Sequence, residues 1–226
     1  MTEYSIFEIV GPIMIGPSSS HTAGANRIGY IAHQIIGEEI KNVIFYLHGS
    51  FAETYKGHGT DKALLAGILG YRQDDEKIRE IFDIADENKV NYKFITKDLG
   101  EVHPNTAEIE VTTASGDIFT ITGASIGGGK IEIININGTE VSFDGEYNTL
   151  ITYHKDRPGV ISFISSILAN YNINIANMKL TRKSKGDRAI LILETDDDIS
   201  KECAEAILEN DKIYEAKVIN KIVDIV

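Results

Sequence analysis

Apolar positions recur at helical spacing early in the chain, where Ile28, Ile31, Ala32, Ile35 and Ile36 predict a helix over roughly 21–38. Residues 42–48 (NVIFYLH) read as a strand, and GSFAETYKGHG after it reads as a connection. TDKALLAGILGY predicts a helix with Thr60 as its N-cap, and Ile78, Ile81, Phe82 and Ala85 predict another over 74–87. Residues 91–96 make a strand, and from there the apolar period falls to two. TAEIEVTTA and SGDIFTITG alternate around a turn and form a hairpin. KIEIININGTEVSFDG forms a second, turning at Asn137-Gly138, a dipeptide that tolerates the positive φ angles of a type I′ turn. This first region is α+β, with helices early and antiparallel strands late.

Around Asp144-Gly145-Glu146 the pattern restarts, so two domains are expected, 1–146 and 147–226. NTLITYH is a strand, and DRPG opens a helix with Pro158 near its first turn, where a missing N–H costs little. Val160, Ile161, Ile164, Ile167 and Leu168 supply that helix's apolar face. NINIANMKLTRK and DRAILILETD are strands around the turn Lys185-Gly186-Asp187, ISKECAEAILEN is a helix, and IYEAKVINKIVDIV closes with a strand. The order βαββαβ over about 75 residues fits a ferredoxin-like sandwich. The order, the Asp156-x-Pro158-Gly159 turn and the Asn172-x-Asn174 stretch together resemble the ACT family. In that family a small ligand, often an amino acid, sits between two such domains near the loop from strand one to helix one. The resemblance implies Asp156, Gly159 and Asn174 as ligand-site candidates and pairing with a second copy through this domain. Gly159 has no Cβ, so a carboxylate can approach the N–H groups of the helix start. The alternative is that DRPG is a well-formed helix start and the domain only dimerises.

Composition narrows the classes. A net charge of −12 argues against non-specific binding to nucleic acid or an anionic membrane, which needs a basic field. No apolar run approaches the roughly 20 residues that span a bilayer. MTEYSIFEIVGP lacks the basic and apolar regions of a secretory leader, so a cytoplasmic location is expected. The one cysteine, Cys203, excludes an intramolecular disulfide. It also falls short of the three or four thiolates of an iron–sulfur cluster and of a structural zinc set. The six histidines are scattered with no HExxH, so the ligands of any participating metal are expected mostly on another chain.

Three stretches carry candidate chemistry. GPSSSHTAG (16–24) places the hydroxyls of Ser18, Ser19, Ser20 and Thr22 and the His21 imidazole at a helix start. Hydroxyls, unpaired N–H groups and the positive end of the helix dipole suit a carboxylate or phosphate. Capping alone needs a single hydroxyl. The stretch matches neither GxxxxGK[ST] nor GxSxG, and His21 as base to an adjacent serine would still need an orienting partner. In GHGTDK, His58 lies between glycines ahead of a helix, and histidine is the side chain type best suited to proton transfer at physiological pH; a plain surface histidine is the alternative. In SIGGGK, Gly128, Gly129 and Lys130 either aim N–H groups and charge at an anion or only loosen a strand entry. His103-Pro104-Asn105 is a polar turn of open role.

GPSSSHTAG, YKGHGTDKALLAG, HPN and SIGGGK, in this order and followed by the ACT-like region, resemble the β half of bacterial iron–sulfur L-serine dehydratases over essentially the whole chain. Residues 24–26 depart from the family form, with Gly-Ala-Asn where Gly-Pro is frequent, so the helix is expected to start differently. The resemblance implies a lyase that converts L-serine to pyruvate and ammonia. It implies a [4Fe–4S] cluster held by a separate, cysteine-rich α subunit, in keeping with the single cysteine, and a Lewis-acid role for one iron at the serine hydroxyl. His58 is then the base or part of a proton relay, and Ser18, Ser19, Ser20, His21 and Thr22 bind the substrate carboxylate. The first domain also resembles the allosteric substrate-binding domain of some phosphoglycerate dehydrogenases. That likeness keeps open a non-catalytic, amino-acid-sensing protein that binds a small anionic metabolite.

Overall fold

The computed structural model describes residues 12–182 and 184–222; the segment read for a leader (all but its last residue) and the last four residues of the final expected strand lie outside the described residues. The chain divides into two compact units between Gly138 and Thr139. The first sheet contains β1 (Ile40–Leu47), β2 (Asn91–Thr96), β3 (Thr106–Thr113), β4 (Ile118–Gly127), β5 (Lys130–Ile136) and β6 (Thr139–Phe143). Its order is β2-β1-β3-β4-β5-β6. The late strands are antiparallel, with Ile109 opposite Phe45 and Ile121. β1 and β2 run parallel, Phe45 opposite Phe94, because the chain between them crosses over through helices rather than a tight turn. Asn137 and Gly138 both take positive φ, 51° and 73°, as the hairpin turn requires.

Four helices accompany this sheet: α1 (Ala25–Ile36), α2 (Gly49–His58), α3 (Thr60–Ile68) and α4 (Ile81–Glu87). The helix expected over 21–38 is two elements in series. Ser19–Gly24 winds as a π-turn, and α1 follows it without a break. Ala25, where proline is frequent in the resembled family, keeps its N–H and donates it to the Thr22 carbonyl. Ile28, Ile31, Ala32, Ile35 and Ile36 are buried as their spacing predicts.

GSFAETYKGH, expected as a connection, is helical. Its periodicity is faint because Phe51 is the one buried side chain in ten residues. Gly59, at φ 69°, ends α2 and opens α3 in the same residue, so Thr60 is the first helical residue rather than the expected cap. The helix expected over 74–87 is a 3₁₀ turn (Glu76–Glu80) followed by α4. α1 and α3 meet through glycine: a Cβ on Gly67 would lie 2.1 Å from the Asn26 carbonyl oxygen, and one on Gly29 2.5 Å from that of Leu64. This backbone contact brings the π-turn against the head of α3.

After β6, which opens it, the second unit runs β7 (Asn148–Lys155), α5 (Val160–Asn170), β8 (Ile175–Arg182), β9 (Arg188–Thr195), α6 (Lys201–Leu208) and β10 (Ile213–Ile219). The sheet order β10-β7-β9-β8, antiparallel throughout, is the expected ferredoxin-like arrangement. Leu150, Leu191 and Leu193 pack against Val160, Ile164, Leu168, Cys203 and Ile207 from the two helices. Gly159 takes φ 92°, so α5 begins at Val160 and Pro158 precedes the helix instead of sitting in its first turn. Among the described residues, no helix is long and apolar enough to cross a membrane.

Candidate functional site

The π-turn, both ends of α2 and the head of α3 converge. Ser18 is the N-cap of the turn, its Oγ accepting the His21 N–H at 3.2 Å, and its carbonyl accepts the N–H groups of Thr22 (2.8 Å) and Ala23 (3.4 Å). The wider i→i+5 winding fits the close approach of β4 from behind. A Cβ on Gly24 would come within 2.1 Å of Ser125 Oγ, so only glycine fits at the end of the turn.

The turn's hydroxyls are mostly engaged within the site. Ser20 Oγ lies 3.0 Å from His21 Nδ1 and 3.4 Å from Ser18 Oγ. Thr22 is buried and donates to the His58 carbonyl at 3.0 Å, which ties the turn to the α2–α3 junction. His21 Nε2 lies 2.9 Å from Ser50 Oγ, the Phe51 ring meets the imidazole edge-on at 5.3 Å, and the His58 ring sits 4.9 Å away at 59°. Burial, and secondarily the neighbouring His58, lowers the pKa of His21, so it is predominantly neutral at pH 7. His58 is the last residue of α2, half-buried, with Nδ1 buried and, among the described residues, without a hydrogen-bond partner. The same holds for the buried hydroxyls of Thr60 and Ser125.

His103-Pro104-Asn105 supports the head of α2. The Pro104 carbonyl accepts the Phe51 N–H at 3.4 Å, and the Asn105 carbonyl accepts the Ser125 N–H at 2.9 Å. Gly49 lies so close to Pro104 that a Cβ there would stand 2.7 Å from the proline oxygen. Ser50, Phe51 and Ser125 are therefore members of the site that sequence reasoning did not single out. Ser125 had a signal, since it belongs to the SIGGGK stretch. Ser50 had none, being 29 residues from the histidine it meets.

Gly128, Gly129 and Lys130 form the tight link between β4 and β5. Gly127, Gly128 and Gly129 all take positive φ (111°, 62° and 83°), and Lys130 pairs back with Gly127. The Gly129 carbonyl accepts the Arg27 guanidinium at 2.9 Å, while Gly128 and Lys130 are exposed. In the second unit Asp156 accepts Arg182 Nη1 at 2.6 Å and the Gly186 N–H at 2.8 Å, and these bonds hold its carboxyl below the usual range. Gly159 is open, with nothing within 4 Å of where a Cβ would stand. Asn174 bonds Asp196 and Asp197. Lys155 pairs with Arg188, whereas Ile175 pairs with Thr195, so the register puts Asp156 and Asn174 at opposite ends of the sheet. One chain does not bring them into one site. Beside Asp156 and Gly159 lies a cavity of about 460 Å³ lined by Lys155, Arg157, Pro158, Asp211, Lys212 and Tyr214.

Among the described residues, no group of three or more His, Cys, Asp or Glu is placed to hold a metal ion. Cys203 is buried in the second unit's core. This chain's own residues do not fit an iron–sulfur cluster.

Fold and site define a chain of dehydratase-subunit type carrying an ACT domain: the family model described as serine dehydratase beta chain matches residues 5–95, and that of the ACT domain matches 148–210. The L-serine dehydratase beta chain of Peptoniphilus asaccharolyticus is 42% identical over 220 residues, covering 97% of this chain and 99% of that one. The probable L-serine dehydratase beta chain of Bacillus subtilis (strain 168) is 44% identical over 195 residues, covering 86% and 88%. The chain belongs to the L-serine dehydratase beta-chain family. A D-3-phosphoglycerate dehydrogenase of Methanocaldococcus jannaschii is 31% identical over 205 residues, 87% of this chain but 37% of that enzyme.

Proposed function

We propose that this chain is the β subunit of a lyase that converts L-serine to pyruvate and ammonia, active with a cysteine-rich α subunit that holds a [4Fe–4S] cluster. The observation that carries the reading is the pairing of His21 with His58, each delivered by a different element and held 4.9 Å apart. The site stretch bears the composition of an anion cradle, and Ser19 and Ser20 meet the substrate carboxylate, while both ring nitrogens of His21 are taken up by the Ser20 and Ser50 hydroxyls. Ser18 caps the turn, and Thr22 acts from behind by holding the His58 backbone.

On this reading His58 takes the α-proton of serine at Nε2, and the β-hydroxyl departs as hydroxide, which takes up a proton and leaves as water; the α subunit's cluster would supply the Lewis acid that helps it depart. The resulting aminoacrylate tautomerises to an imine, which water hydrolyses to pyruvate and ammonia. Accepting a proton at Nε2 requires the other proton on Nδ1, which is buried without a partner among the described residues. An unsatisfied buried N–H costs about 1–3 kcal/mol, so the base form is the one that substrate or the partner chain has to stabilise. This supports a site completed only in the complex. Residues 147–226 serve as a ligand-sensing or pairing domain, with the basic cavity beside Gly159 suited to a small anion and the exposed edge strand β8 suited to a second copy.

The test is His58→Ala, co-expressed with the α chain and assayed anaerobically for serine-dependent pyruvate. Loss of general-base catalysis lowers turnover by about 10²- to 10⁴-fold; near-normal turnover refutes the assignment. The likeness to a phosphoglycerate dehydrogenase favours a second reading, a sensor of an anionic metabolite. Serine binding with no turnover, even beside the partner, selects it.

A further inference from the structure

The His21 ring is held at both nitrogens, by Ser20 Oγ at 3.0 Å and Ser50 Oγ at 2.9 Å. Neither helix capping nor anion binding calls for that degree of constraint. Ser20 is the residue before His21 and travels with it. Ser50 belongs to the head of α2, whose last residue is His58, eight positions and about 12 Å of helix rise away. One rigid helix therefore carries both the hydroxyl that grips His21 and the ring against which His21 leans.

We infer that Ser50 is a positioning residue: its hydroxyl at Nε2 fixes the rotation of the His21 ring, and His21 in turn fixes the orientation of His58. The inference rests on the reading of His58 as the proton-transfer group. The surroundings leave the grip to hydroxyls. His58 is the titratable group that acts electrostatically on His21. Ser20, Ser50 and the Phe51 edge are uncharged, the elements packed behind present the Ser125 and Thr60 hydroxyls, and Asp61 at the head of α3 accepts the Lys62 N–H. Ser50 itself is seated by its neighbours, since the Thr54 hydroxyl donates to its carbonyl at 2.7 Å and the next N–H, that of Phe51, is held by Pro104. Without the Ser50 hydroxyl, Ser20 satisfies one nitrogen and the ring is free to turn about its bond to Cβ. The imidazolium form also loses an acceptor for one of its two N–H groups, which lowers the pKa of His21 further.

The experiment uses Ser50→Ala and Ser50→Thr in the full chain. Turnover is measured in complex with the α chain, and the imidazole ¹⁵N resonances of the full chain are titrated on their own. Ser50→Ala is expected to lower kcat by about tenfold or more with KM within about twofold, the pattern of a misaligned reacting group. It is also expected to shift the His21 titration to lower pH and perturb the His58 ring signals, with the thermal midpoint little changed. Ser50→Thr keeps a hydroxyl and restores both. Unchanged His21 titration and His58 signals in Ser50→Ala overturn the positioning role whatever the turnover. Altered ring signals with unaltered turnover support the grip and overturn instead the reading of His58 as the proton-transfer group.

Discussion

Replacing Gly67 by alanine tests whether the glycine contact between α1 and α3 sets the site. The added Cβ would stand 2.1 Å from the Asn26 oxygen, 2.7 Å from the Tyr30 nitrogen and 3.0 Å from the Gly29 carbonyl carbon. All three are backbone atoms and cannot rotate away. Restoring ordinary contact, near 3.5 Å, requires the helices to part by about 1.4 Å at this point. Overpacking of this kind costs about 1–3 kcal/mol. The parting also stretches the bonds from Asn26 Nδ2 to the carbonyls of Ala63 and Tyr71, now 3.2 and 3.0 Å, each worth about 1 kcal/mol. Alanine returns up to about 1 kcal/mol in helix propensity. The balance is a loss of about 2–4 kcal/mol, or about 4–16 °C in a chain of this size. Gly57→Ala is the matched control, because it lies in α2 with nothing within 4 Å of its would-be Cβ. That variant is expected to gain up to about 1 kcal/mol. Scanning calorimetry of the full chain reads both, with the second unit's transition as an internal reference. If Gly67→Ala is as stable as the parent, or Gly57→Ala is the less stable of the two, the helices are not held at backbone contact.

Thr22→Val keeps the shape of the side chain and removes the hydroxyl that donates to the His58 carbonyl. It should cost about 1–2 kcal/mol in urea unfolding and lower turnover in the complex, with Thr22→Ser recovering both. In the second unit, burial first, then the nearby Asp144 and Glu146, raise the pKa of Glu194 against the opposing bond from Asn177. The folded state then binds the proton more tightly than the unfolded chain, so this group's contribution to stability is present below the unfolded value of about 4.3 and is lost as pH rises through the folded pKa. Glu194→Gln, which can still accept from Asn177, should flatten that slope in denaturant melts taken between acid and neutral pH.

Alternation made β3 and β5 legible, because their side chains divide between a buried and a half-buried face, whereas β9, buried along almost its whole length, reads as a continuous apolar run. α1 was legible for the same reason at a period of 3.6. The elements that build the site were not. α2 buries Phe51 and little else, so no periodic stripe separates it from a loop. The π-turn reads in sequence as an over-supplied helix cap, since its winding reflects contact with Ser125, a hundred residues further on. His21 and His58 were each visible as candidates from their neighbours. Their pairing, and the grip of Ser50, depend on the junction at Gly59 and on the close approach of Gly29 to Gly67, which no local pattern encodes. The parallel pairing of β1 with β2 was likewise a property of the crossover between them rather than of either strand.

Cys203 lies at the centre of the second core, fully out of contact with solvent, and burial raises the pKa of its thiol. Oxidants attack thiolate, so the folded chain offers them no reactive sulfur of that kind. Of the sulfur atoms in the second unit, the thioether of Met178, 42% exposed on β8, is the one that meets air. The chain's one thiol is thus shielded from oxidants as long as the second unit stays folded. On the proposed reading, exchanging one aged subunit at a time in a complex with the α chain tells whether a loss of activity under oxygen arises in this chain or in its partner.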